Sequence, residues 1–295
     1  MTSHRTRARV SLVLLLLGVL AGTAAARPAP DTILFPVVGS ATYYDDFGEA
    51  RGQGRHEAND ILAERGAPVV AVEAGRVEFW NTSARAGCML YLYGRSGTTY
   101  LYVHLNNDLT DGNDNKGRCG PGVSYAPGLR DGQKVRAGQV IGFVGDSGDA
   151  NGIHPHLHFE LHPDDGGAVS PFRSLQGAQR LLFALPELDG GPPFTLALYG
   201  KVLASAQGTL TMRVARVRVS NGWRFEAGRD VTLAVPEAAV VERANGGERI
   251  PAAVVGAAQG ESVVVWTAPV GETLDAQLGK PGALAAAQVL FRGSG

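Results

Sequence analysis

The sequence predicts a mainly β protein in two parts, and three observations point there. Forty glycines and sixteen prolines in 295 residues favour many turns and short strands over long helices. Short runs rich in Val, Tyr, Phe and Leu, bounded by Gly, Asn or Ser, recur between residues 68 and 105 and again beyond residue 194. A turn-rich stretch at 186–193, PELDGGPP, separates the two series and reads as a linker. The length suits two domains. A net charge of −1 gives no electrostatic case for a nucleic-acid partner.

The chain begins with an export signal. Arg5, Arg7 and Arg9 precede an apolar run at 10–20, and Ala24, Ala25 and Ala26 supply a small-residue cleavage site, so 1–26 lies outside the fold. The run is too short to span a bilayer comfortably. No other stretch is apolar enough to do so, which predicts a periplasmic or extracellular protein without a membrane span after cleavage. In that setting the two cysteines, Cys88 and Cys119, read as one disulfide closing a loop around His104.

The first domain is expected over 32–185. A lead-in strand lies around Ile33–Val37, and 41–60 reads as an irregular surface segment. Strands follow at Pro68–Val72, Gly75–Trp80, Met89–Tyr93 and Thr99–His104. Residues 106–131, dominated by Asn, Asp, Gly and Pro, read as a long surface loop of the kind that often carries function. Two short strands around a turn are expected over 135–145. A short helix is expected over 171–185, where Leu175, Ala178, Leu181 and Leu182 fall at helical spacing. The second domain, 194–295, shows strand runs at Thr195–Tyr199, Thr209–Val219, Val231–Val235, Ala239–Glu242 and Ser262–Trp266, which predict a small β-barrel or sandwich. It has no histidine and no cysteine. Trp223, Phe225 and Trp266 read as core, with a sugar-stacking patch as the alternative.

Chemistry concentrates in the first domain, around His156-Leu157-His158-Phe159-Glu160-Leu161. On a strand, His156, His158 and Glu160 share one face and Leu157, Phe159 and Leu161 the other, with the two imidazoles about 7 Å apart. Imidazole is the commonest neutral ligand for zinc. His56 and Asp60 stand four apart, so one helical turn or a tight loop brings them together. His56-Glu57 begins like an HExxH helix but lacks the second histidine, which argues against Glu57 as a general base. His104 ends a strand on which it would share a face with Tyr100 and Tyr102. His154 and His162 read as peripheral. Three protein ligands plus a water define an open, catalytic zinc site. His56, Asp60 and either His156 or His158 supply three. The other histidine of that pair, with His104, can then handle protons or an oxyanion during amide hydrolysis.

Four segments in order resemble the lysostaphin-type (LytM-like) zinc metallopeptidases, exported enzymes that cut the peptide part of peptidoglycan. They are Arg55–Asp60 (RHEAND), Ala67–Val72 with Gly75 and Val77, Tyr102–Leu105 (YVHL) and Pro155–Glu160 (PHLHFE). Residues 135–145 add the glycine-punctuated strands that precede the last motif. The resemblance runs from about Phe35 to Phe172. It implies one zinc ion held by His56, Asp60 and His158, with His104 and His156 as the catalytic pair. It also implies an antiparallel β-sheet domain with few helices, its site in a groove walled by loops.

Two features depart from the family pattern. Ala58 and Asn59 stand where the family carries Gly and an aliphatic residue, and the 106–131 insertion is expected to shape or cover the groove. The reading is an exported zinc metalloendopeptidase acting on peptidoglycan. A silent zinc-containing wall-binding or regulatory protein and a zinc peptidase for secreted proteins are the alternatives.

Overall fold

The computed structural model describes residues 30, 32–52, 54–185, 194–271 and 273–292. The expected signal (1–26) and linker (186–193) lie outside the described residues.

Strict alternation in one strand decides how the first half is built. In β11 (His156–Pro163), Leu157, Phe159 and Leu161 are fully buried, while His158, Glu160 and His162 are partly exposed on the other face. Preceding it are β1 (Ala41–Thr42), β2 (Ala50–Arg51), β3 (Gly54–Arg55), β4 (Asn59–Ala63) and β5 (Pro68–Val70). These are followed by β6 (Gly75–Trp80), β7 (Cys88–Gly94), β8 (Thr98–Leu105), β9 (Lys134–Val135) and β10 (Val140–Phe143). Seven of them form an antiparallel sheet in the order β1-β4-β11-β8-β7-β6-β9. β5 and β10 pair separately, and β2 and β3 form a small hairpin.

The core lies between the large sheet and the β5–β10 pair. Phe159 sits against Tyr102 at 5.2 Å and Tyr100 at 6.0 Å between ring centroids, and Val69, Val70, Val140 and Ile141 join the same cluster. Both buried hydroxyls find partners, as buried phenols must. Tyr102 Oη accepts from Val72 N at 3.1 Å and Tyr100 Oη donates to Glu73 at 2.6 Å. The other face of β11 is thereby left to the groove.

Residues 33–37 make isolated bridges rather than a continuous strand. The expected helix is shorter than its spacing suggests: α1 covers Phe172–Gly177 only. Ala178 is already extended, and Gln179 bridges to Leu34, so Leu181 and Leu182 reach the core from irregular chain.

The second half holds β12 (Leu196–Ala206), β13 (Thr209–Val219), β14 (Arg224–Ala234), β15 (Val240–Asn245), β16 (Glu248–Pro251), β17 (Ser262–Thr267), α2 (Leu274–Gln277) and β18 (Ala286–Phe291). Their order is β14-β13-β12-β17-β18-β15-β16, antiparallel except for β15–β18. The sheet curls until Ala234 N donates to Leu284 O at 3.0 Å, just ahead of β18. This gives the curvature of a small barrel rather than two stacked sheets. Phe225 is core, whereas Trp223 packs on Phe143 of the first half at 6.2 Å and Trp266 lies on a different strand. The three therefore form no single stacking patch.

Candidate metal centre

Cross-strand register places the site. β4 runs antiparallel beside β11 with Asp60 opposite His158, so their side chains leave the sheet on one face. His56 comes from the turn before β4, not from a helix. Three donor atoms converge there. His56 Nε2 lies 3.1 Å from Asp60 Oδ1 and 3.1 Å from His158 Nδ1, and His158 Nδ1 lies 3.2 Å from Asp60 Oδ1. Ligands of a tetrahedral zinc at about 2.0–2.1 Å are separated by about 3.3 Å. The triangle therefore fits one zinc ion. Among the described residues this is the grouping of His, Cys, Asp or Glu able to hold a metal.

The nitrogens turned away from that centre are all occupied. His56 Nδ1 faces the Asp46 backbone carbonyl at 3.0 Å, and His158 Nε2 faces Glu160 at 2.9 Å. Each outer nitrogen therefore carries the proton, and the inner one offers a lone pair. Glu160 in turn accepts from His162 Nε2 at 2.7 Å, while His162 Nδ1 donates to Gly166 O at 2.9 Å. With acceptors at both nitrogens, His162 is held as an imidazolium. It stands outside the donor triangle and is joined to it only through Glu160. The period of two in β11 (156, 158, 160, 162) was the sequence signal that could have found it.

The same negative surroundings raise proton affinity. Burial lowers the pKa of His56, but the Asp46 and Asp60 carboxylates outweigh it and push the metal-free group up to about 10. Burial works against ionisation of Asp60 as well, yet hydrogen bonds from His158 and His56 carry its pKa well below the carboxylate range. Glu160, buried but bonded to His158 and His162, is held down to about 2. A site this anionic attracts a cation.

His104 reaches the site by a break in the strand pattern. Regular alternation puts Tyr100, Tyr102 and His104 on the core face. Instead Val103 and His104 together oppose Met89 in a bulge, and His104 has φ +62°. A non-glycine residue in the left-handed region costs free energy and marks function when the surroundings enforce it. The bulge turns the ring onto the groove face, 5.1 Å from His156 and 5.6 Å from His158 between centroids.

His104 and His156 have matching surroundings. His104 Nδ1 donates to Ser147 O at 2.8 Å, and His156 Nδ1 donates to His154 O at 2.9 Å. In each ring Nε2 is the nitrogen left over, 3.8 Å from Asp149 Oδ1 in His104 and 3.8 Å from Asp60 Oδ1 in His156. Burial, with His156 and His158 nearby, lowers His104 to about 4, so it is neutral at physiological pH. Ser147 fixes its own carbonyl. Its hydroxyl donates to Leu105 O at 2.6 Å and accepts from Cys88 N at 2.9 Å.

The groove over these residues has a volume of about 430 Å³ and is rimmed by Arg51, Arg55, Arg85 and Ile153. No residue of 106–131 lines it. The insertion lies behind the 146–151 loop, where Asn113 reaches Asp146 at 3.0 Å and Asn151 at 2.8 Å. Cys119, within the insertion, is bonded to Cys88 with Cα atoms 5.2 Å apart. The insertion is a buttress rather than the expected cover.

Two histidines and one aspartate, two of the three on adjacent antiparallel strands, face a groove lined by two further imidazoles, an arrangement suited to a metal centre of the hydrolytic type. Residues 123–171 match peptidase family M23, and this part of the chain is similar to that family. The chain is 32% identical over 156 residues to the L-Ala--D-Glu endopeptidase of Bacillus subtilis, covering 49% of this chain and 43% of that protein. It is also 32% identical over 116 residues to the DD-carboxypeptidase/endopeptidase Mpg of Neisseria meningitidis, covering 39% of this chain and 22% of that one. The chain thus spans less than half the length of these curated relatives. The catalytic domain of the antimicrobial peptidase lysostaphin from Staphylococcus simulans aligns with 47% of this chain and 92% of its own, at 23% identity and a TM-score of 0.34.

Proposed function

We propose that the protein is an exported zinc metalloendopeptidase that hydrolyses peptide bonds in bacterial peptidoglycan. The observation that carries the reading is the donor triangle of His56, Asp60 and His158 beside two imidazoles held through Nδ1. His56, Asp60 and His158 would hold one zinc, leaving its fourth position to the groove. Bound there, zinc supplies a Lewis acid that polarises a carbonyl and makes water nucleophilic near neutral pH. The chain's own groups do the rest. His104 and His156, each fixed through Nδ1, take the proton from the attacking water at Nε2 and return it to the departing amine. As imidazolium, either stabilises negative charge on the former carbonyl oxygen. Glu160 and Asp46 keep the ligand rings oriented through the reaction. Peptidoglycan as substrate is supported by the endopeptidase names of the relatives, and export by the sequence of residues 1–26. Among the described residues no helix is long and apolar enough to cross a membrane.

The test is metal content of the purified chain from residue 27 onward, with clearing of a peptidoglycan suspension by the same preparation. One zinc per chain and clearing that stops with a chelator and returns with zinc is the expected result. Zinc without clearing, together with digestion of soluble peptides, would transfer the reading to a peptidase of secreted proteins. A chain that binds no zinc would refute it.

A further inference from the structure

His56 is the one ligand of the triangle that does not stand on a sheet strand, so something else must hold its ring. The groups behind it form an unusual arrangement for a core-side position. Asp46 is fully buried, with Oδ2 3.3 Å from His56 Nδ1. Its Oδ1 accepts from Asn59 Nδ2 at 2.7 Å and lies 3.3 Å from Asp60 N. Arg51 Nη2 lies 3.3 Å from Asp46 Oδ2 and 3.1 Å from Asp60 Oδ2. Asn59, also fully buried, pairs across the sheet with Phe159 on the apolar face. It spends both amide hydrogens, on Asp46 and on Tyr44 O at 3.0 Å, while its Oδ1 has no partner among the described residues.

A buried carboxylate and a half-satisfied buried amide cost stability. Nothing in the apolar packing around Phe159 requires either. What the pair does is present one carboxylate oxygen to the outer nitrogen of a ligand histidine. We propose that Asp46, aimed by Asn59, is a positioning residue that sets the zinc affinity of His56. The inference rests on the zinc reading above and extends it to two residues of the irregular 41–60 segment and of β4. Asn59 is then not a packing defect in the ligand segment but the donor that keeps Asp46 in register.

Loss of such an outer partner typically weakens metal binding by about 10–100-fold. The Asp46 backbone carbonyl stays as a second acceptor for His56, so the lower part of that range, about 10-fold, is expected for D46N. N59L removes the donor and leaves the carboxylate in place; zinc binding should again weaken. Because both changes disable one device, D46N/N59L should lose less than the product of the single effects.

The measurement is zinc affinity of the full mature chain by competition with a chromophoric chelator at fixed pH. The melting temperature of each metal-free variant is recorded alongside, and the visible spectrum of the cobalt-substituted protein reports ligand geometry. Weakened zinc, an altered cobalt spectrum and non-multiplicative effects support the proposal. Variants that melt earlier yet bind zinc like the unaltered protein would overturn it, assigning the pair to stability alone. That outcome leaves the zinc reading standing, whereas an unaltered chain that binds no zinc overturns both. If D46N does not fold, N59A decides the question, since it keeps the carboxylate and removes its donor.

Discussion

Arg65 is the residue whose removal should expose how the 146–151 loop is held. Its guanidinium meets Asp146 with both nitrogens, at 2.6 and 2.9 Å, and also donates to Asp108. Both aspartate side chains are fully buried and that of Arg65 is 14% exposed, so screening by water is weak. R65A leaves two buried carboxylates without their cation, which typically costs about 3–5 kcal/mol. At about 2–4 °C per kcal/mol for a domain of this size, melting should fall by about 6–20 °C. R65K keeps the charge but not the fork and should land between. The triple variant R65M/D108N/D146N should recover much of the loss, because charges and partner leave together. Burial opposes ionisation of Asp146, but Arg65 outweighs it and sets the carboxyl below its usual value. A depressed folded pKa contributes stability above the unfolded value, about 3.9, and the contribution fades as pH falls below it. The gap between R65A and the unaltered protein should therefore narrow in acid. The next residue, Ser147, carries the carbonyl that holds His104, so R65A should also lose rate while retaining zinc. A stability loss below about 1 kcal/mol, the range of exposed ion pairs, would refute the clamp.

Further outcomes follow from the same geometry. H158A should abolish zinc binding by removing a ligand, whereas H104A should keep zinc and lose about 10²–10⁴-fold in rate, measured by metal analysis and peptidoglycan turnover; loss of metal from H104A would refute the division of roles. With His56 raised to about 10, the metal-free protein carries that proton at neutral pH, so zinc uptake should release it; calorimetry in two buffers of different ionisation enthalpy would show no difference if this is wrong. A Cβ at Gly148 (φ +79°) would lie 2.1 Å from Arg85 O, so G148A should displace the Ser147 carbonyl and lower rate with zinc retained. Replacing Cys88 and Cys119 by serine opens a loop of sequence separation 31 and should cost about 3–4 kcal/mol, read from the melting temperature.

What the sequence carried openly were the elements whose local pattern and tertiary role agree. Gly75–Trp80 and Thr209–Val219 are strands with the expected limits, because each alternates or runs apolar between turn residues. His156 and His158 share the groove face because β11 keeps its period of two. The disulfide was legible from an even pair of cysteines in a chain read as exported. The failures lie where long-range contacts override local pattern. The helix expected over 171–185 stops at Gly177 because Gln179 is claimed by Leu34. Asp46 could not be singled out, since its role is set by a partner thirteen residues away, and Asn59 looked like a flaw without it.

His104 shows why a residue proposed to be catalytic resists pattern reading. A period of two predicts its ring beside Tyr100 and Tyr102, on the face that packs into the apolar core. The site requires the opposite face, so the chain inserts one extra residue against Met89 and accepts a left-handed backbone at a residue with a Cβ. That conformation costs on the order of 1–3 kcal/mol. It is held by the hydrogen bonds of Ser147 to His104, Leu105 and Cys88, by the disulfide from Cys88 to the insertion, and by the Arg65 clamp on the preceding residue. The insertion that seemed to threaten the groove is therefore better understood as the support that makes a strained, correctly aimed histidine affordable in a small β-sheet domain.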